Sequence, residues 1–351
     1  MPATHRRTGV TRSGLASLVA AVVVAGAVTW WATATPGTAQ ASDPSYRTLA
    51  SASNPDWMRS IPDGVSIAAI SIPGTHETMS IHGGSLTMTQ EDYGDSGRTL
   101  TAQLNAGIRM VDIRVRVNDG NTFTVHHGAV YQQANFDDVL NALGSFLDQH
   151  PRETVVMRLK QECTGQFGSC RDVGGQASVS DILDRYRDNN AAARAHFWAP
   201  SVNRGQAAYT PTLGAVRGKV VLAVLNGQFG GRIDSYGLAQ FADWHDGSST
   251  YIQDDYNVSN PGAIATKRDR VRRHLDTTSS GDQTRMYVNF TSGASLFASP
   301  YTVAGGTAGQ QGVNPFLLGY LSQHPVTRTG MVMMDFPGGG LINAIIAVNR
   351  R

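Results

Sequence analysis

Short runs rich in Val and Ile recur along the whole chain, at residues 65–72, 108–117, 122–126, 154–160, 219–225, 250–253, 286–290 and 331–335. Each is brief, rich in β-branched residues and bounded by Gly, Pro, Asn or Asp, so each reads as a strand. Several are apolar on both faces, as in a sheet covered by helices. Between them, Phe136, Val139, Leu140, Leu143, Phe146 and Leu147 fall on one helical stripe with Asn135 as N-cap, and His150-Pro151 ends that helix. Further helices are predicted over 180–187 and 263–275. Alternation of this kind predicts an α/β fold, a single distorted (β/α)8 TIM-type barrel, with a doubly wound open sheet as the competitor. No G-x-G-x-x-G follows the first strand, which removes support for the dinucleotide-binding version of the open sheet.

No internal repeat or low-complexity linker divides residues 42–351, so they are expected to form one domain. The residues before them read differently. Arg6, Arg7 and Arg12 are followed by a stretch from Ser13 to Ser42 without any charge, almost wholly apolar over 15–28, and then by Ala39-Gln40-Ala41. That is the pattern of a secretory signal peptide, residues 1–41, cleaved after Ala41. A permanent membrane anchor is the competing reading. Arg6-Arg7 raises twin-arginine export, although Thr8-Gly9 stand where apolar residues are usual. Cys163 and Cys170 enclose a short loop, and in an exported protein they are expected to form a disulfide. Without a neighbouring His or a second Cys pair they do not make a zinc site. With 29 Lys and Arg against 27 Asp and Glu, no strong basic field points to nucleic acid, and a monomer is expected.

Polar residues gather where the predicted strands end: His76 and Glu77, Asp112 and Arg114, His126 and His127, Lys160 and Glu162, Asp254, Asp255 and Tyr256, and Asp335. Barrel enzymes carry their chemistry at the C-terminal ends of the strands. Two histidines with an arginine suit phosphodiester cleavage. One neutral imidazole takes a proton from an attacking hydroxyl, and a protonated one supplies the leaving oxygen. The arginine meets the charge that builds on the phosphate oxygens. The same residue types could instead hold a metal for assisted hydrolysis, but Arg114 and Lys160 would repel a cation.

Ser71 through Glu77, then Gly107 through Arg114, then His126-His127-Gly128 resemble the X region of the phosphatidylinositol-specific phospholipases C, the small secreted bacterial type most of all. The similarity continues through residues 153–162, 217–222, 253–258, 287–292 and Asp335. The resemblance implies a distorted barrel that cleaves phosphatidylinositol in membranes to diacylglycerol and a cyclic inositol phosphate, with no metal and no cofactor. It implies His76 as general base oriented by Asp335, His127 rather than His126 as general acid, Arg114 as phosphate ligand and Asp112 as its carboxylate neighbour. It implies Lys160, Asp254 and Tyr256 as inositol-binding residues, and membrane contact through Leu86, Met88 and Phe297. Glycosyl-phosphatidylinositol anchors are a candidate further partner, and the sequence does not decide whether they are cleaved. Two departures stand out. Glu77 replaces the family's usual Asp, one methylene longer, and Leu225 and Asn226 stand near a position where an arginine is usual. The alternatives are a secreted metal-dependent glycerophosphodiesterase and a non-catalytic lipid-binding barrel.

Overall fold

The computed structural model describes residues 43–165, 170–200, 210–226, 237–238 and 250–350; the predicted signal peptide lies outside them. Residues Ser42–Arg351 form one unit. In chain order its first half contains β1 (Ile72–Thr75), α1 (Ser96–Ala106), β2 (Met110–Asn118), β3 (Thr122–His127), β4 (Val130–Asn135), α2 (Phe136–Gln149) and β5 (Val155–Gln161). There follow α3 (Val179–Asn189), α4 (Ala191–His196), α5 (Leu213–Val216), β6 (Val220–Asn226), β7 (Ile252–Gln253), α6 (Ile264–Ser280) and β8 (Val288–Phe290). The last elements are α7 (Pro300–Gly305), β9 (Gly306–Thr307), β10 (Gln310–Gln311), α8 (Val313–Gln323), β11 (Met331–Met334) and α9 (Gly339–Val348).

The doubly apolar runs pair in parallel, in the order β6-β5-β2-β1-β11-β8-β7. Beyond β6, Gly237 bridges Leu222 in the same sense, and the Leu238 amide donates to the Leu222 carbonyl at 2.7 Å. This is the curled parallel sheet of a TIM-type barrel. Seven named parallel strands lie among the described residues, one fewer than an eightfold barrel requires.

Two sequence expectations are corrected. The run at 122–126 is no barrel strand: β3 pairs antiparallel with the far half of β2, and β4 folds back on β3. The run at 65–72 begins as a 3-10 turn, Ile67–Ala69, started by the Ser66 side chain accepting the Ala68 amide, and the strand begins only at Ile72. Helix α2 starts as expected. Asn135 and Asp138 exchange side-chain-to-backbone hydrogen bonds in a capping box, and Val139, Leu140, Leu143, Phe146 and Leu147 are buried.

The closing ion pair of the fold lies at the opposite end from the polar strand ends. Arg109 just precedes β2, Glu153 stands two residues ahead of β5, and both are 0% exposed. The Nε and Nη2 atoms of Arg109 each lie 2.9 Å from Glu153 Oε2. Its other N–H groups donate to the carbonyls of Leu104, Ile108, Asn54 and Pro55, and the guanidinium lies 4.5 Å from the Phe146 ring centre. Burial draws the guanidinium pKa down to about 10. Removing one partner strands the other charge in the core. Arg109→Met should therefore cost about 3–5 kcal/mol in urea unfolding. Adding Glu153→Leu should recover most of it; a single variant as stable as the parent would remove the pair from the list of structural determinants.

Candidate active site

Sheet register assembles the site. Thr75 at the end of β1 is in register with Met334 of β11 on one side and Val111 of β2 on the other. The next residue along each strand is then His76, flanked by Asp335 and Asp112. On β2, Asp112 and Arg114 share a face, and across the ladder they meet Arg158 and Lys160 of β5. The β3–β4 hairpin, absent from a regular barrel, carries His127 over the same face.

His76 Nδ1 lies 2.9 Å from Asp335 Oδ1, and His76 Nε2 lies 2.8 Å from Arg114 Nη2. An arginine only donates, so the ring proton of His76 sits on Nδ1 and faces Asp335, and Nε2 keeps its lone pair. Burial and then the Arg114 charge hold the His76 pKa well below the usual histidine value, so the ring is neutral. Arg114 is gripped by carboxylates on three sides. Asp112 Oδ2 receives Nε and Nη2 at 3.2 Å, Glu162 Oε2 is 3.6 Å from Nη1, and Glu77 Oε1 contacts Nη1. Burial opposes the Arg114 charge, yet Asp112, Glu77 and Glu162 raise its pKa above the free value.

Glu77 turns the departure from Asp into a bridge. Its backbone is left-handed, with φ +43°, and its amide donates to Asp112 Oδ2 at 3.1 Å. The longer side chain reaches Arg114 with one oxygen and His127 Nδ1 with the other, at 2.5 Å. The Thr87 carbonyl at 2.6 Å and Ser80 Oγ at 3.0 Å also face His127 Nδ1. Burial works against the imidazolium, but the Glu77 charge and hydrogen bond prevail and raise the His127 pKa. Neighbouring His126 points to the other face of the hairpin, beside Tyr131, and its pKa is lowered by burial and by Arg116.

Lys160 joins the cluster, its Nζ 2.9 Å from Glu162 Oε2. Glu162 Oε1 accepts the amide of Gly128 at 2.9 Å, which ties the end of β5 to the residue after His127. Asp254 is buried and Tyr256 exposed, both just beyond β7. Leu86 and Phe297 are 45% and 74% exposed, whereas Met88 is half-buried and so presents less surface than expected. Leu296, which the sequence reading passed over, is as exposed as Phe297. Cys163 and Cys170 are joined in a disulfide. Leu225 and Asn226 fall on β6, which is described in its backbone.

Sequence reasoning also missed Arg158. It is buried, and its Nη1 lies 3.4 Å from Asp112 Oδ2, so Asp112 is held between two arginines and its pKa is depressed despite burial. The period-two pattern with Lys160 was its only signal. A barrel with one neutral imidazole, one protonation-prone imidazole and an arginine between them can run acid–base chemistry on an anionic diester.

Residues 70–224 match the family described as phosphatidylinositol-specific phospholipase C, X domain. The chain is 30% identical over 304 residues to a Listeria monocytogenes protein named 1-phosphatidylinositol phosphodiesterase, covering 84% of each chain. It is 27% identical over 302 residues to a protein of that name from Staphylococcus aureus strain Newman, covering 81% of this chain and 88% of the other. The solved phosphatidylinositol-specific phospholipase C of L. monocytogenes superposes with a TM-score of 0.63 at 29% identity, over 84% of this chain and 98% of that one. An S. aureus phosphatidylinositol-specific phospholipase C, solved in connection with its membrane binding, superposes with a TM-score of 0.67 at 25% identity, over 86% and 99%. The chain belongs to the phosphatidylinositol-specific phospholipase C X-domain family.

The two histidines should titrate on opposite sides of the ordinary value of about 6.5. In a nitrogen-15 imidazole titration His76 should protonate below it and His127 above it. Glu77→Gln should move the His127 midpoint down; an unmoved midpoint would mean that Glu77 does not hold its proton.

Proposed function

We propose that this chain cleaves phosphatidylinositol by attack of the inositol 2-hydroxyl on the adjacent phosphate, giving diacylglycerol and inositol 1,2-cyclic phosphate. The observation that carries the reading is the placement of Arg114, hydrogen-bonded to the lone pair of His76 and joined through Glu77 to His127. A phosphodiester entering here competes for the Arg114 N–H groups as a bidentate acceptor. Arg114 then turns to the phosphate and leaves His76 Nε2 free. That nitrogen takes the 2-hydroxyl proton, the 2-oxygen bonds to phosphorus, and the bond to the diacylglycerol oxygen breaks. His127 delivers its Nε2 proton to that oxygen while Glu77 holds Nδ1. Asp335 accepts from His76 Nδ1 and stabilises the imidazolium as it forms. Lys160, Asp254 and Tyr256 bind the inositol ring.

The exposed Leu86, Leu296 and Phe297 support membrane contact beside the site, with Met88 contributing less. Glycosyl-phosphatidylinositol anchors share the scissile group and are a second substrate class in this reading. Residues 1–41 act as a signal peptide cleaved after Ala41, and the Cys163–Cys170 disulfide suits the oxidising compartment that export reaches. The enzyme acts as a monomer.

Incubation with phosphatidylinositol vesicles should give a cyclic phosphodiester signal in phosphorus NMR. His76→Ala and His127→Ala should each cut turnover by ~10²–10⁴ with folding preserved, and His126→Ala should do far less. Full turnover without His127 would sink the assignment. The Arg114 guanidinium meets Glu77, Asp112 and Glu162, the carboxylates that would otherwise attract a divalent ion. Excess EDTA should therefore leave the rate unchanged and added calcium should not raise it. A rate that collapses in EDTA and returns with calcium would favour a metal-dependent diesterase instead.

A further inference from the structure

A buried ammonium stands behind the loop that follows β7. Lys267, on the first turn of α6, is 2% exposed. Arg270 and Arg272 on the same helix keep 40% and 39% of their side chains exposed, so Lys267 is the basic residue turned inward. Its Nζ donates to Gln253 Oε1 at 3.1 Å and to the Asp255 carbonyl at 2.8 Å. Gln253 is itself fully engaged. Its amide nitrogen donates to Asn289 Oδ1 and to the Phe290 carbonyl, both at 2.8 Å, and its oxygen also accepts the Asp255 amide at 2.9 Å. The Phe290 ring meets the His76 ring edge-on, with centres 5.9 Å apart. One side chain thus links α6 to the turn at 253–256 and, through β8, to the wall against the base.

A buried ammonium whose contacts are neutral acceptors is costly, and an apolar residue would fill the same space without that cost. What its charge acts on is specific. Asp254 and Asp255 beyond β7 and Asp335 beyond β11 attract it, while Arg270 on its own helix repels it. Burial brings the ammonium pKa down to about 8, so the charge is present at neutral pH. Asp335 feels this cation. Burial and then Glu77 hold its proton affinity well above the ordinary carboxylate value, while a hydrogen bond from the Gly293 backbone, Lys267 and Arg114 each draw it part of the way back. A protonated Asp335 would still accept from His76 Nδ1 through its carbonyl oxygen, but it would no longer stabilise the imidazolium by its charge.

We propose that Lys267 is a positioning residue for the reaction: its hydrogen bonds to Gln253 and the Asp255 carbonyl hold the turn at 253–256 so that Asp254 and Tyr256 face the inositol ring. The proposal rests on the function argued above. When the substrate phosphate draws Arg114 toward itself, Lys267 remains as the cation that Asp335 still feels.

The test uses the full mature chain and myo-inositol, the head group alone, as probe. Calorimetric binding of myo-inositol needs no turnover, so it reads Lys267 even if no cyclic phosphate forms. Absence of that product in the parent enzyme would overturn the reaction while leaving the binding arm intact. Lys267→Met should weaken myo-inositol by about tenfold or more. It should also move the acid limb of kcat/KM to higher pH, because Asp335 then protonates more readily. Lys267→Arg should keep the acid limb near its parent position. A Lys267→Met protein that melts earlier but binds myo-inositol and titrates like the parent would reduce Lys267 to a structural cation. Should that variant fail to fold, Gln253→Leu cuts the hydrogen-bond link and keeps the charge. It should weaken myo-inositol with an unmoved acid limb, and unchanged binding would overturn the proposal.

Discussion

The Arg114 guanidinium is the fixed point of the site. Three carboxylates and one imidazole converge on it from three segments: Glu77 and His76 after β1, Asp112 on β2 and Glu162 after β5. A buried cation so surrounded gains Coulomb energy and hydrogen bonds that offset desolvation, and its neighbours become interdependent. Deleting any one carboxylate changes the charge felt by the others. The two histidines are set apart electrostatically by this arrangement: His76 faces the cation itself, and His127 faces a carboxylate that the cation holds in place. In the proposed reaction, acid and base are thus sorted by environment rather than by residue type.

The barrel separates this site from the elements that stabilise the fold. Arg109 and Arg114 lie five residues apart in one run, so an extended strand places them on opposite faces and toward opposite ends. Arg109 meets one carboxylate and a set of carbonyls at the N-terminal side, saturated and fully buried. Arg114 instead shares one contact with the His76 lone pair, the contact that a phosphate displaces in the proposed reaction. A guanidinium already saturated by the protein cannot answer a ligand, whereas one shared with a titratable ring can.

Much of the site was legible in the sequence because strand ends concentrate chemistry. His76, His127 and Asp335 each follow or end a short strand run, Asp112 and Arg114 lie two apart within another, and His126 and His127 alternate across β3. Other features were not legible. Strand β4, with Tyr131, Gln132 and Gln133, carries no apolar pattern; it holds because Gln132 accepts the amides of Ile81 and His82. Helix α1 buries Ser96, Thr99 and Gln103 with partners, so its inward face does not read as hydrophobic. Lys267 is hidden in a basic stretch whose arginines stay partly or fully exposed, and one-dimensional periodicity does not reveal which of its members turn inward.

By itself the sequence determined the class of fold, and it named the strand ends where the polar cluster gathers and the two histidines and the arginine that stand as candidates there. Local patterns suffice for these because side-chain alternation and strand boundaries are written within a few residues. Tertiary structure alone decided that Glu77 spans Arg114 and His127, that Arg158 backs Asp112, and that the run at 122–126 leaves the barrel to place His127. Those outcomes depend on register between strands far apart in the chain. A shift of one residue in that register would send each side chain to the opposite face.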